Sequence, residues 1–277
     1  MTRGKLVREL IKIALKEDIG TGDITTKIVL PEKIKATALI IAKEKGILAG
    51  IDVAKQVFHA VDKTLRFVPM KRDGEQLKPK TVIASIYGDA SSILKAERTA
   101  LNFLQHLSGI ATLTNQFVQA VRKTKAKILD TRKTIPGMRI LEKYAVKIGG
   151  GENHRLGLYD MILIKSNHIK ACGGIAQAIN RAKAGNRRGL GLEVEAKNLE
   201  EVKTALSLNV PMIMLDNMSI SEMRKAVKLG KAKFEASGKI NLKNVRQVAK
   251  TGVDYISVGA LTHSAKALDI SLKLIPK

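Results

Sequence analysis

A chain of 277 residues is long for a single core, so one large or two moderate domains are expected. Hydrophobic residues at 45% and charged residues at 27% fit a globular protein and exclude a disordered one. No apolar run approaches the roughly 18 residues of a membrane span, and Cys172 alone permits neither an internal disulfide nor a cysteine-built metal site. Lys and Arg number 49 against 25 Asp and Glu, and the net +24 brings nucleic-acid binding into consideration. With no Trp, four Tyr and five Phe, an obvious base-stacking platform is missing. The lysines are spread over helical faces, so most of this charge reads as solvated surface, with a subset able to draw a polyanionic small substrate into a cleft.

In chain order, the opening MTRGKLVRELIKIALKED interleaves charge with Leu6, Leu10, Ile13 and Ala14. That is an amphipathic helix over Lys5 to Lys16 rather than a signal peptide, so a cytoplasmic location is expected. GTGD (20–23) reads as a turn. Strands are expected at Ala36–Ala42, Leu65–Val68 and Val82–Tyr87, with a helix around Val53–Val61 and a long helix after Asp89 carrying Leu94, Leu101, Leu104 and Leu107. This is the pattern of an α+β domain over residues 1–110, with the C-terminal tail able to pack back on it. His59 and His106, in amphipathic helical contexts, read as packing or surface residues.

From about residue 125 the rhythm becomes regular. Apolar strands at Lys127–Asp130, Asp160–Ile164, Leu192–Glu195, Met212–Leu215, Lys233–Ala236 and Tyr255–Val258 alternate with helices, for which Asn198, Ser219 and Asn241 are N-cap candidates. Repeated βα alternation demands a parallel sheet. Its strands run in turn into Asp130-Thr131-Arg132-Lys133, Lys165, Glu195, Asp216-Asn217, Ser237-Gly238 and Gly259. Polar residues at the same end of every strand suit a closed barrel, whose strand ends converge on one mouth. An open doubly wound sheet would use one switch point and leave several of them idle. Residues 111–277 are therefore expected to form an incomplete α/β barrel of six or seven strands.

Chemistry follows from those strand ends. Arg132, Lys133 and Lys165 are cations that folding does not require, and an arginine fork binds planar carboxylates through two oxygens. His154 and Arg155, after the glycine run 149–151, read as anion contacts, whereas Lys143 and Lys147 read as a basic helix face. A substrate with two or more carboxylates or phosphates fits this set. Glu195 and Asp216 end neighbouring strands and should face each other; they suit a magnesium ion shared with substrate phosphates, or ion pairs with Lys133 or Lys165. Ser237, Gly238 and Gly259 follow the last two strands, where many barrels bind phosphate through backbone N–H groups, although Gly238 alone could merely permit a turn. His168 remains open between a site role and a loop role. No HExxH or Walker lysine motif occurs.

EDIGTGDITT (17–26), AERTALNFLQHLSGIAT (96–112), TRKTIPGMR (131–139), GGGENHRLGLYDMILIKSNHI (149–169), LEVEA, MLDN, EASGKI and ISVGALTHS resemble, in order and spacing, the quinolinate phosphoribosyltransferase family. The resemblance covers nearly the whole chain. It implies an N-terminal open-faced α/β sandwich before the incomplete barrel, and homodimers or assemblies of dimers with a shared active site, into which Arg98 reaches from the partner. Arg132, Lys133, His154, Arg155 and Lys165 would hold quinolinate and nearby phosphates. Glu195 and Asp216 would serve the ribose and magnesium pyrophosphate, and Ser237, Gly238, Gly259 and His263 the phosphate. Lys133, Glu195 and Asp216 are the expected catalytic groups, and Mg2+ the only cofactor; neither nucleic acid nor membrane is an expected partner. Two departures stand out: Lys239 where the family usually has a second glycine after Ser237-Gly238, and Ser166 where it often has Asp. A nicotinate phosphoribosyltransferase and a molybdate-operon paralogue are the competing enzymes, and a basic nucleic-acid-binding protein the competing class.

Overall fold

The computed structural model describes residues 3–30 and 34–275. They divide into two compact units, one of residues 1–115, 135–150 and 265–277, the other of residues 116–134 and 151–264.

The first unit opens with the expected amphipathic helix, Arg3–Ile19, followed by a short helix Ile24–Val29 whose N-cap Asp23 accepts from Thr26 N–H at 2.9 Å. Strand β1 (Lys35–Ala42) alternates buried and less buried positions, because successive side chains of a strand point to opposite faces. After β2 (Gly46–Ile47), helix Ile51–Val61 buries Ile51, Val53, Ala54, Val57 and Phe58, a stripe at helical spacing. Full burial of the Phe58 side chain contributes roughly 2–3 kcal/mol. Strands β3 (Arg66–Pro69), β4 (Gln76–Leu77) and β5 (Val82–Asp89) follow; β2 and β4 form a separate antiparallel pair. Helix Ala90–Val121 then carries the chain from the first unit into the second.

The second unit is built on β6 (Lys127–Leu129), β7 (Ile162–Ile164), β8 (Leu192–Ala196), β9 (Met212–Asp216), β10 (Lys233–Ser237) and β11 (Tyr255–Ser257). They lie within a residue or two of the stretches expected from sequence. The sheet is wholly parallel, in the order β6-β11-β10-β9-β8-β7. Among the described residues β6 and β7 end the strand order, and an isolated parallel bridge from Leu129 to Glu152 flanks β6. The expected N-caps at Asn198 and Ser219 are present, each accepting from the N–H three residues on, whereas the helix expected to start at Asn241 runs over Val245–Ala249 with Asn244 at its N-cap. The mixed α/β fold with an incomplete barrel is therefore observed, with six strands.

Strand β12 (Ile270–Ile275) returns to the first unit and pairs antiparallel with β1, completing the order β12-β1-β5-β3. Sequence reading allowed the tail to pack back but did not identify the strand, whose partner lies more than two hundred positions away. One expectation fails here. Lys147 is exposed as anticipated, but Lys143, read as part of a basic helix face, is buried on helix Arg139–Ile148. That helix presents Leu141, Ala145 and Val146 to the core, and position 143 falls within the covered arc. His106, read as packing or surface, is half-buried and meets the fully buried Glu142 at 2.8 Å.

Candidate active site

A cavity of about 700 Å³ opens at the carboxyl ends of the six parallel strands. Strands at both sheet edges contribute to it: Arg132 and Lys133 follow β6, and Leu163 and Lys165 belong to or follow β7. A parallel sheet whose two edges line one cavity is curled, which is how a barrel concentrates residues from separate strands. His154, Arg155, Glu195, Asp216, Ser237, Gly238, Gly259 and His263 complete the expected set at this cavity. Arg98 is not among the lining residues; it is exposed on helix Ala90–Val121 in the first unit.

The cationic side is held by a carboxylate clamp. Asp130, fully buried at the end of β6, accepts from His154 N–H at 2.9 Å and from Asn153 Nδ2. This fixes the loop that carries His154 and Arg155. The guanidinium of Arg155 donates from Nη1 to the Met161 carbonyl at 3.0 Å, while its Nε is buried without a partner. Burial and the neighbouring positive charge of Arg132 pull Arg155 below the usual guanidinium range. Two arginines held close together, one with a buried donor to spare, form an arrangement that an anion would relieve.

His154 is placed differently from the expectation of a simple anion contact. Its Nδ1 accepts from Arg155 N–H at 2.7 Å, and its Nε2 lies 2.9 Å from Glu193 Oε2 and 3.4 Å from Glu235 Oε2. Both ring nitrogens are thus engaged inside the protein, and the pattern assigns the ring proton to Nε2. Glu193 and Glu235 are fully buried on β8 and β10. Burial pushes both carboxyls well above the usual range, because a low-dielectric surrounding penalises the charged form. Sequence reading missed these two acids. The signal was available in strand alternation, which puts Glu193 on the face of Glu195 and Glu235 on the face of Ser237. Nothing in the sequence told that they converge on one histidine.

Glu195 and Asp216 both line the cavity but stand at different levels. Glu195 is opposite Met214, and Asp216 is opposite Ser237, one inward position further along. The expectation that they face each other overlooked register: neighbouring strands of a barrel end at different heights. Glu195 Oε1 accepts from Ser166 N–H at 3.2 Å, and Asp216 Oδ1 accepts from Asn217 Nδ2 at 3.0 Å. Among the described residues the other oxygen of each has no protein partner. Two such carboxylates lining one cavity fit a hard cation that takes its remaining ligands from water and phosphate. Neither is ion-paired to Lys133 or Lys165 among the described residues.

The loop after β10 requires glycine. Gly238 has φ +97°, and a Cβ there would stand 2.3 Å from Asn217 Oδ1. Lys239 follows with φ +51°, an uncommon conformation for a residue with a side chain, and also lines the cavity. Asn244 Nδ2 donates to its carbonyl at 3.0 Å, which fixes the peptide. A Cβ on Gly259 would come within 3.1 Å of both His263 Nε2 and Lys133 Cδ. His168 Nδ1 accepts from Lys165 N–H at 2.9 Å, a loop-holding role that leaves the lysine aligned after β7.

Comparison with known proteins agrees over both units. The N-terminal domain of quinolinate phosphoribosyl transferase matches residues 23–108 and the C-terminal domain matches residues 110–273. A probable nicotinate-nucleotide pyrophosphorylase (carboxylating) of Bacillus subtilis is 44% identical over 268 residues, 96% of this chain and 92% of that protein. A quinolinate phosphoribosyltransferase (decarboxylating) of Nicotiana tabacum, designated mitochondrial, is 43% identical over 289 residues, 97% of this chain and 82% of that protein. The solved nicotinate-nucleotide pyrophosphorylase of Francisella tularensis superposes with a TM-score of 0.95 at 44% identity, covering 99% of this chain and 98% of the other. With both domains matched, and relatives well above 30% identity along nearly the full length, the chain belongs to the quinolinate phosphoribosyltransferase family.

Proposed function

We propose that this protein transfers the phosphoribosyl group of phosphoribosyl pyrophosphate to quinolinate and decarboxylates the product, giving nicotinate mononucleotide, pyrophosphate and carbon dioxide in NAD biosynthesis. The observation that carries this reading is the convergence of Arg132, Lys133, Arg155 and Lys165 on one cavity with Glu195 and Asp216. A pyridine with two adjacent carboxylates and a sugar bearing phosphate and pyrophosphate together need that density of positive charge.

The mechanism follows from charge. The cations hold the dicarboxylate so that its ring nitrogen faces the anomeric carbon, turning a two-body encounter into an oriented one. As the bond to pyrophosphate stretches, positive character grows on that carbon, which the Glu195 and Asp216 carboxylates oppose electrostatically. A magnesium ion held at these carboxylates would neutralise the departing pyrophosphate. Nitrogen attack makes the ring cationic, and the carboxylate beside the nitrogen can then leave as carbon dioxide. Gly238, Lys239 and Gly259 form the cradle for the 5′-phosphate, with His263 at its edge. The working form is a homodimer or an assembly of dimers in which Arg98 of each subunit completes its neighbour's site, and the setting is the cytoplasm.

The deciding assay is carbon dioxide release from quinolinate, required to depend on both phosphoribosyl pyrophosphate and magnesium. Nicotinate, with one carboxylate fewer, leaves a cavity cation without its partner, at about 1–3 kcal/mol per lost charged contact. Its turnover should be lower by roughly tenfold or more. Equal turnover of the two acids would point to a site built for a monocarboxylate.

A further inference from the structure

Glu235 is the least explained group at the cavity. It belongs to β10, is fully buried, and yet lines the cavity floor, whereas its companion Glu193 does not. Neither of its carboxyl oxygens has a partner in hydrogen-bond geometry. The charged and titratable groups around it are Glu193 from β8, His154 from the loop held by Asp130, and Lys165 after β7. Ser257 Oγ on β11 faces it, outside strict hydrogen-bond geometry yet close enough to favour the charged form. Burial strips the water that would stabilise a carboxylate here, the nearest donor, His154 Nε2, sits closer to Glu193 than to Glu235, and two adjacent buried acids resist ionising together. A neutral carboxylic acid lining a cation-rich cavity is a proton held beside the place where an anionic substrate would bind.

The proposed reaction needs such a proton. Once the ring nitrogen carries the ribose, the bond from ring carbon 2 to its carboxylate breaks. The electron pair stays on carbon 2, next to the cationic nitrogen, and carbon dioxide leaves. The carbon must then take up a proton for nicotinate mononucleotide to form. We infer that Glu235 is the general acid that supplies this proton to carbon 2. In the step, the Glu235 O–H bond breaks, its electron pair stays on oxygen, and a new C–H bond forms; solvent reprotonates the carboxylate before the next turnover. The inference rests on the phosphoribosyl-transfer reading above and assigns one of its steps.

Other groups are poorer donors. His154 has Nδ1 occupied by Arg155 N–H and Nε2 directed at Glu193. Lys133 and Lys165 are exposed ammonium groups suited to anionic oxygens. Glu193 lies outside the cavity lining. Its role is to hold the His154 Nε2–H, so that Glu235 receives this donor only at the longer distance.

Glu235→Gln tests this, because it keeps the side-chain volume and polarity and removes the acidic proton. In single turnovers of quinolinate with phosphoribosyl pyrophosphate, pyrophosphate release is expected to stay within about threefold of the parent. Nicotinate mononucleotide formation should fall by about 100-fold or more, the scale of a lost general acid. The parent should show a solvent deuterium isotope effect on product formation and a rate that declines on the alkaline side. The Gln variant should lose that alkaline limb, and Glu235→Asp, an acid one methylene shorter, should restore part of both rate and limb. Product formation by Glu235→Gln within threefold of the parent would overturn the inference, as would an unchanged alkaline limb in that variant. A parent that binds one Mn2+ through this trio, with binding abolished by Glu235→Gln, would also overturn it, because the ion would take the place of the proton. If the parent itself releases no pyrophosphate from these substrates, the assigned reaction falls, and this step with it. Thermal unfolding of each variant separates a chemical loss from a folding loss, and in a variant that does not fold, the parent's isotope effect decides.

Discussion

At the scale of single residues, the loop after β10 sets two neighbours against each other. Gly238 is the only residue type that fits its place, because φ is +97° and a Cβ would strike Asn217. Gly238→Ala is expected to lower stability by about 1–3 kcal/mol and raise the KM for phosphoribosyl pyrophosphate; denaturant unfolding reads the first and steady-state kinetics the second. Lys239 has a φ of +51° and pays a conformational cost that a glycine would not. Lys239→Gly should therefore gain up to about 1 kcal/mol of stability. It should nonetheless bind phosphoribosyl pyrophosphate more weakly, by severalfold and most clearly at low salt. A variant that is more stable and binds equally well would make Lys239 a bystander. Sequence reading flagged Lys239 as a departure next to the phosphate loop; only the backbone angle shows that it sits in an uncommon conformation.

At the scale of elements, β8, β9 and β10 present their acids at successive depths. Asp216 is near the mouth, Glu195 one inward position lower, and Glu193 and Glu235 are fully buried. Depth separates their chemistry. Asp216→Asn and Glu195→Gln are expected to keep the fold, since both side chains line the cavity and each change keeps the volume, and to lower turnover by tenfold or more with a weaker response to magnesium. Full activity with an unchanged magnesium titration would remove that residue from the metal's neighbourhood. The deep acids bear on stability instead. Burial raises the Glu235 carboxyl above its usual 4.5, so the folded state binds its proton more tightly than the unfolded chain. Its contribution to stability is complete below about pH 4.5 and is lost as pH rises through the raised value. Glu235→Gln removes that loss: its Tm should match the parent at about pH 5 and exceed it by a few degrees at about pH 9. A Tm difference independent of pH would mean that Glu235 is not held neutral by the fold.

At the scale of the whole molecule, Arg98 is the residue that tests assembly. It is exposed, belongs to the first unit, and is absent from the cavity lining. On the shared-site reading, Arg98→Ala and Lys133→Ala should each be nearly inactive alone, and mixtures under subunit-exchange conditions should recover activity, because half the sites of a mixed dimer inherit both side chains. Hybrid dimers confirmed by native mass spectrometry, yet inactive, would return Arg98 to the solvated surface. The same assay bears on the net charge of +24, much of which is dispersed over the surface. Charge that only solvates should leave the recovered activity insensitive to added nucleic acid at physiological salt.

Much was determined by the sequence itself: the βα rhythm from residue 125, the six strands, and the polar residues that close each of them. These follow from local periodicity and from alternation along a strand, which depend on neighbours in the chain. Arg132, Lys133, Lys165, Asp216 and Gly238 were legible for the same reason, since a charge or glycine at a strand end is anomalous on its own terms. Tertiary structure decided the rest, where a residue's character comes from partners distant in sequence. The pairing of β12 with β1, the burial of Lys143, the height of Asp216 above Glu195, and the Glu193–His154–Glu235 cluster all depend on register and curvature. Glu235 is an ordinary acid in FEASGKI; it becomes a held proton only because folding strips its water and sets Glu193 beside it.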